Sequence, residues 1–388
     1  MNSEIFKNFI YPLSVLCGTI IGVGVFGLPF ITSKVGFPIM IIYFLILGTF
    51  VALIHYFFAE ISLRTPDLKR LPGFVEFYFG KSLAKFAFFC AILGTLLTNL
   101  AYLIVGGSFL KELFEPIFSS KESFWVLVYF LIGAIFIFFD ISLIQRIEFL
   151  SLIGFFLVLF LIFFENLKRI NPKFLFLPPD FSQIFLPYGP ILFSLWGADL
   201  IPETEEMLGQ KKELLKKIVP VSILISALIY LFFIYLVLGI SGPKISQNSL
   251  SGLKEVLGQS VSVSFLLVFG ILATFTSFIA LSLNLKKIFW YDLKLNKNFA
   301  FFLSSFPALL FYFLGIKNFI SLISFIGAIM LALNGIFILL MKIKIQNEEI
   351  KIKIEKILIF LLIFVLLLGI FYEIFYNLLK WLSFYSIL

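Results

Sequence analysis

Residues 9 to 33 run without one charged side chain. At about 1.5 Å per residue that is long enough to cross the roughly 30 Å hydrocarbon core of a bilayer. Yet the middle of the block reads GTIIGVGVFGLPF (residues 18 to 30), with four glycines and a proline. In lipid every backbone N–H and C=O must be satisfied, so non-helical backbone at mid-crossing is tolerated only where it is buried in protein or lines a cavity. Gly22, Val23 and Gly24 sit about halfway through and favour local unwinding, and Pro29 has no N–H to leave unpaired. The alternative is close helix packing through a face of small residues.

Ten more such blocks follow. Of 388 residues, 61% are hydrophobic and 13% charged, and the apolar residues come in long runs rather than in the stripes of soluble helices. The eleven spans read as 9 to 33, 38 to 63, 83 to 112, 123 to 142, 147 to 166, 186 to 208, 218 to 240, 258 to 285, 299 to 316, 318 to 341 and 357 to 379. The first is too long for the apolar core of a signal peptide and lacks a small-residue cleavage site, so it reads as a true span. Cys17 and Cys90 both fall within spans and read as filler, not as a disulfide or metal framework. The final stretch NLLKWLSFYSIL reads as an interfacial tail with Trp381 and Tyr385 at headgroup depth.

Placing the N-terminus in the cytoplasm puts 20 of the 30 Lys and Arg residues on the inner side, counting Lys7, Arg146, Lys351 and Lys353 among them. The positive-inside bias therefore predicts N-terminus in and C-terminus out. Topology accounts for the net charge of +8, so neither nucleic acid nor an acidic partner is invoked, and no obligate protein partner is implied. No loop is long enough to form a soluble domain.

A second block carries the same irregularity. In ILFSLWGADLIPETEEML, Gly197 precedes Pro202 by five positions with Ile201 just before the proline; in the first block Gly24 precedes Pro29 by five with Leu28 in that place. Two broken helices at corresponding positions point to inverted-repeat transporters, where discontinuous helices form the site near the midplane. Spans 1 to 5 (about 9–166) and 6 to 10 (about 186–341) would be the repeats, with span 11 (about 357–379) added. The whole is one transmembrane domain, an all-α membrane protein.

GTIIGVGVFGLPF, GADLIPETEE and FTSFIALSLNLKKIFWYDLK together resemble the amino acid/polyamine/organocation superfamily with its LeuT-type fold. The third segment is most similar to the aromatic (hydroxy and aromatic) amino acid permease branch, whose members usually have eleven spans. The resemblance implies a 5+5 inverted repeat and an alternating-access secondary transporter (permease) for amino acids, seated in a prokaryotic plasma membrane.

The physics of two broken helices suits a zwitterion. Half-helices that begin at the midplane offer free N–H groups and a positive dipole end; those that stop there offer carbonyls and a negative end. An α-amino acid carboxylate would sit on the N–H groups of Val23 and Gly24 beside Gly22, and its ammonium on carbonyls near Ser194 and Trp196, with Gly197 and Ala198 completing the site. Asp199 has two readings: it caps the second half-helix, with Glu203 in the first turn, or it meets the ammonium or a coupling ion. Glu205 and Glu206 are expected to meet Lys211 and Lys212 in solvent.

The resemblance also implies a coupling position. In LeuT-type proteins that bind sodium between spans 1 and 8, the matching ligands are the carbonyls of Gly18 and Ile21 with Ala273, Thr276 and Ser277. Val25 stands where a second sodium position would need a polar side chain. Ser and Thr in membrane helices also bond back to their own helix, which is the competing reading. A proton is the alternative coupling ion, although the basic residue that replaces the cation in span 5 of proton-coupled relatives is absent from Ile147 to Glu165. No other cofactor is expected.

His55, the single histidine, either titrates or is a hydrogen-bonded packing residue. Glu60 and Arg64 are spaced as a helical ion pair. Asn99 and Tyr102 are candidates to flank the pocket. An intramembrane hydrolase lacks a nucleophile with its base, and a channel lacks a repeated filter or charge rings. A transporter-derived amino acid sensor keeps the same site, and a polyamine carrier finds too few acids near it.

Overall fold

The computed structural model describes residues 4, 6–66, 69–140, 144–258, 260–346 and 353–385, and among them the chain is helical with no strand. Six helical stretches are each long and apolar enough to cross a membrane, and the bent pair Asn8–Ile20 with Val23–Val35 makes a seventh. One of the six, Tyr188–Lys244, has 57 residues. That is far beyond the about 20 needed to cross once, and its irregular turns at 196–200 and 209–214 divide it into two crossings. Glu122–Phe138, Ile144–Glu165 and Lys297–Phe313 are shorter apolar helices that complete eleven spans.

The spans are span 1 (Tyr11–Ile20 and Leu28–Val35), span 2 (Phe37–Arg64), span 3 (Lys81–Phe114), span 4 (Glu122–Phe138), span 5 (Ile144–Glu165) and span 6 (Tyr188–Leu195 and Ile201–Leu208). Then come span 7 (Leu215–Ser241), span 8 (Val261–Lys287), span 9 (Lys297–Phe313), span 10 (Phe319–Gln346) and span 11 (Lys353–Tyr385). Two short helices not read from the sequence, Leu71–Phe79 and Leu250–Leu257, follow spans 2 and 7. The element order of spans 1 to 5 thus recurs in spans 6 to 10: a broken helix, an unbroken one, a short helix, then three more. Helix boundaries are set by local chemistry. Gly36 (φ +84°) and Gly80 (φ +83°) each turn the chain between two helices in a single residue, a conformation that disfavours any residue with a Cβ.

Spans 1, 2, 6 and 7 pack on one another, while span 8 packs mainly on spans 3 and 5, and span 4 on span 3. The first half of span 6 lies against span 10. There, a Cβ added at Gly327 would fall 1.8 Å from the Gly189 carbonyl oxygen, so the two backbones are in contact. At this crossing the segment Ile326–Leu331 of span 10 is π-helical.

Ion pairs tie the helix ends on the side of the basic loops. Lys342 of span 10 is 2.5 Å from Glu60 and 3.1 Å from Glu355, so Glu60 reaches across to another span rather than serving only its own helix. Lys286 donates to Asp140 at 2.7 Å and to the carbonyl of Ile137 at 2.9 Å, joining spans 8 and 4. Span 11 continues as helix to Tyr385, through the stretch read as an interfacial tail. Lys351 lies outside the described residues, as do the side chains of Lys7, Arg146, Lys353, Trp381 and Tyr385.

Candidate functional site

Span 1 breaks where its glycines are. The helix Tyr11–Ile20 closes with the Ile21 N–H on the Cys17 carbonyl and the Gly22 N–H on the Ile20 carbonyl, both at 2.8 Å. Gly22 is extended (φ −103°, ψ −154°), a 3-10 turn covers Val23–Gly27, and the second half starts at Leu28 with Pro29 in its first turn. The halves meet at 47°. Among the described residues the N–H groups of Val23 and Gly24 find no acceptor. Both residues are buried, so these are free donors at the positive end of a half-helix, away from bulk water.

Span 6 breaks at Trp196 (φ −76°, ψ 123°) and Gly197, followed by the 3-10 turn Ala198–Leu200 and the helix Ile201–Leu208 with Pro202 at its start. Here the first donor of the break is held by a side chain from another span. Gly197 N–H donates to His55 Nε2 at 2.9 Å, and His55 Nδ1 lies 2.8 Å from the Val51 carbonyl. A carbonyl only accepts and a peptide N–H only donates, so the ring is assigned as the neutral tautomer with its proton on Nδ1. His55 is 1% exposed and packs edge-to-face on Trp196 at 4.8 Å. The single histidine is therefore a buried acceptor that holds the break.

Asp199 makes no capping hydrogen bond; its side chain is exposed, and Arg70 is the charge that acts on it. Glu203, one turn on, has a buried Oε2 without a partner among the described residues. Glu205 is not in solvent. It is 7% exposed and accepts the Ser62 hydroxyl at 2.5 Å, with Lys212 at 3.9 Å, while Lys211 reaches Glu4 at 3.8 Å. Glu206 is exposed. Asp199 and Glu206 are exposed, whereas Leu28 and Ile31 in the second half of span 1 are fully buried.

The two breaks lean on each other. A Cβ at Gly24 would fall 2.3 Å from Ser194 Oγ and 3.1 Å from Ser194 Cα; one at Gly22 would fall 2.5 Å from the Tyr102 hydroxyl. Ser194 Oγ and Trp196 Nε1 are buried without partners among the described residues. The Trp196 ring itself lies between His55 and Gly335, 3.6 Å from a Cβ built at the latter, so it packs with spans 2 and 10. Ala198 is buried. Just past the span 1 break, Phe26 packs against Phe109, Phe155 and Phe233 at 4.8, 5.8 and 6.0 Å, and its carbonyl accepts the Ser249 hydroxyl at 2.5 Å.

Tyr230 of span 7, fully buried, has its hydroxyl 2.6 Å from the Ile20 carbonyl and 2.8 Å from the Ser194 carbonyl. Sequence reading missed it. The available signal was a tyrosine at mid-span, since tyrosines in membrane proteins concentrate at the interfaces.

In span 8, Thr276 Oγ1 bonds its own helix at the carbonyls of Leu272 and Ala273, both 3.1 Å. Ser277, Ala273 and Gly18 are half-buried, and Ile21 is buried. Asn99 donates to Ser282 at 2.9 Å, linking spans 3 and 8.

Against known proteins, the sequence pattern of the tryptophan/tyrosine permease family matches residues 7–376, taking in both breaks and all but the end of span 11. The chain belongs to the tryptophan/tyrosine permease family. Membership makes it an amino acid transporter, not an enzyme. The permease is 26% identical over 289 residues to the tyrosine-specific transport system 1 protein of Haemophilus influenzae, covering 70% of each chain. Among solved structures it is similar to MhsT in complex with L-phenylalanine, with a TM-score of 0.67 at 14% identity over 97% of this chain and 98% of that one. It is similar also to Mhp1, a nucleobase-cation-symport-1 family transporter, at TM-score 0.62 and 13% identity over 87% and 80%. At these identities the likeness shows the fold, which is LeuT-type with spans 1 and 6 discontinuous. The permease is a multi-pass integral membrane protein.

Proposed function

We propose that this permease is a secondary active transporter of aromatic amino acids within the amino acid/polyamine/organocation superfamily, working by alternating access. The observation that carries the reading is the family match across both breaks, joined to the free N–H donors of span 1. The substrate carboxylate sits on the N–H groups of Val23 and Gly24, with Gly22 and Gly24 letting it approach closely. The ammonium faces the second lone pair of the Ser194 carbonyl and the carbonyl of Trp196, with Gly197, Ala198 and Asp199 at the far edge of the site. The aromatic side chain is supported by what the relatives are named for, tyrosine in one and bound L-phenylalanine in another.

Coupling belongs to the same proposal. The cation is a sodium ion or a proton, and the sodium position is Gly18, Ile21, Ala273, Thr276 and Ser277. Thr276 would have to turn its hydroxyl from its own helix to serve there. The orientation is N-terminus in and C-terminus out, in a prokaryotic plasma membrane, from the Lys and Arg bias. The test is uptake of labelled tyrosine, tryptophan, phenylalanine and a set of aliphatic amino acids into proteoliposomes, with sodium and proton gradients imposed separately. Saturable uptake of the aromatic set under one gradient is the expected result. Uptake of aliphatic amino acids alone, or none with folded protein, overturns the proposal.

A further inference from the structure

Two helix carboxyl ends point at one place in this protein. The first half of span 1 ends at Ile20 and the first half of span 6 ends at Leu195, and the Ile20 and Ser194 carbonyls both lie on the Tyr230 hydroxyl, at 2.6 and 2.8 Å. In a protein with broken helices such negative ends are where a monovalent cation is held. The structure fills that place from within. The Ile20 carbonyl also accepts the Gly22 N–H at 2.8 Å, so both of its lone pairs are used. A carbonyl in that state has nothing left for a metal ion. Tyr230 is fully buried and makes an aromatic contact with Phe44 at 6.1 Å, which fixes the ring from the side of span 2.

We infer that the Tyr230 hydroxyl stands in for a cation between the two broken helices, holding both negative ends together and making the substrate site independent of a metal ion at that position. Tyr230 is a positioning residue: it acts through the Ile20 and Ser194 carbonyls, which set the spacing of the two breaks. The inference rests on the proposed midplane substrate site only for its consequence in transport. The position is separate from the sodium ligands proposed between spans 1 and 8: the Tyr230 hydroxyl donates to the carbonyls of Ile20 and Ser194, and neither residue is among them. A phenol has one proton, so it serves the two carbonyls by sharing or alternation.

The experiment compares full-length wild type with Tyr230→Phe in detergent, without substrate, measuring thermal unfolding in sodium chloride against choline chloride over a sodium titration. Removing the hydroxyl leaves two carbonyls converging on a buried space, and the variant is expected to unfold several degrees lower in choline. Sodium is expected to restore part of that loss, giving the variant a sodium-dependent stabilisation larger than any the wild type shows. A sodium response equal in the two proteins overturns the inference and reduces Tyr230 to packing. Because no substrate enters this measurement, it stands or falls apart from the transport reading, which the wild-type uptake assay judges. If Tyr230→Phe does not fold, replacement of Tyr230 by 4-aminophenylalanine serves instead, since its amine donates to both carbonyls at once. That protein is expected to unfold no lower than wild type and to gain nothing from sodium; a lower midpoint rescued by sodium overturns the inference.

Discussion

The two breaks look alike in sequence and differ in what holds them. In span 6 the Gly197 N–H is already held by His55, whereas in span 1 the N–H groups of Val23 and Gly24 have no acceptor among the described residues. A helix amino end carries the equivalent of about half a positive charge, so N–H groups left unclaimed there gain from an anionic ligand. The difference is one of anchorage: the span 6 break is pinned by a side chain from span 2, while the Gly22 N–H of span 1 stays on its own helix at the Ile20 carbonyl; the N–H groups of Ala198 and Asp199, like those of Val23 and Gly24, find no acceptor among the described residues. Anchorage also accounts for the burial of a lone imidazole in a membrane span, because a peptide N–H left unpaired there costs about 1–3 kcal/mol.

The hardest blow to the comparison is Gly24→Leu. Its Cβ alone would meet Ser194 Oγ at 2.3 Å and Ser194 Cα at 3.1 Å, and a backbone atom cannot step aside. Uptake of labelled tyrosine in proteoliposomes is expected to fall by at least about 100-fold, equivalent to about 2.7 kcal/mol, with the protein still monodisperse. Next comes His55→Leu, which strips the acceptor from Gly197; the expected loss is about 1–3 kcal/mol in stability, read as a lower unfolding midpoint, with weaker substrate binding. His55→Gln, which keeps an acceptor on the side chain, is expected to recover part of both. Equal behaviour of the leucine and glutamine variants would put the imidazole's role down to shape.

Much of this was legible beforehand. All eleven spans coincide with apolar blocks, because crossing a bilayer demands length and apolarity and both are written residue by residue. The breaks were legible from Gly and Pro for the same local reason. The partners of the breaks were less so: Tyr102 was a candidate to flank the pocket, but His55 and Tyr230 lie on spans 2 and 7 and only packing brings them to Gly197 and Ser194. The reading of Asp199 as a cap failed locally: of the N–H groups just after it, that of Leu200 goes to the Gly197 carbonyl and that of Ile201 to the Ala198 carbonyl, and Pro202 has none to give. Glu60 found Lys342, 282 residues on, because ions at helix ends settle on whichever opposite charge the tertiary fold delivers.

Smaller effects sharpen the contrast within span 1 itself. Gly22→Ala is expected to be milder than any change at Gly24, because its Cβ meets only the tip of Tyr102, at 2.5 Å. Removing that tip should relieve it, so Gly22→Ala with Tyr102→Phe is expected to regain affinity over Gly22→Ala alone, a coupling read from a double-mutant cycle in substrate binding. Additivity of the two changes would show that the ring already yields. The smallest effect concerns the coupling ion. With sodium in the proposed position, Thr276→Val is expected to lower sodium-driven uptake several-fold and leave proton-driven uptake unchanged. An unaltered sodium response would confine the Thr276 hydroxyl to the Leu272 and Ala273 carbonyls.

The most direct test of the difference between the breaks is a structure of the permease with bound tyrosine. The account predicts carboxylate oxygens about 2.7–3.2 Å from the backbone nitrogens of Val23 and Gly24, with the Gly197 N–H still on His55 Nε2. A carboxylate on Gly197, with His55 displaced, or a substrate seated away from both breaks, would contradict it.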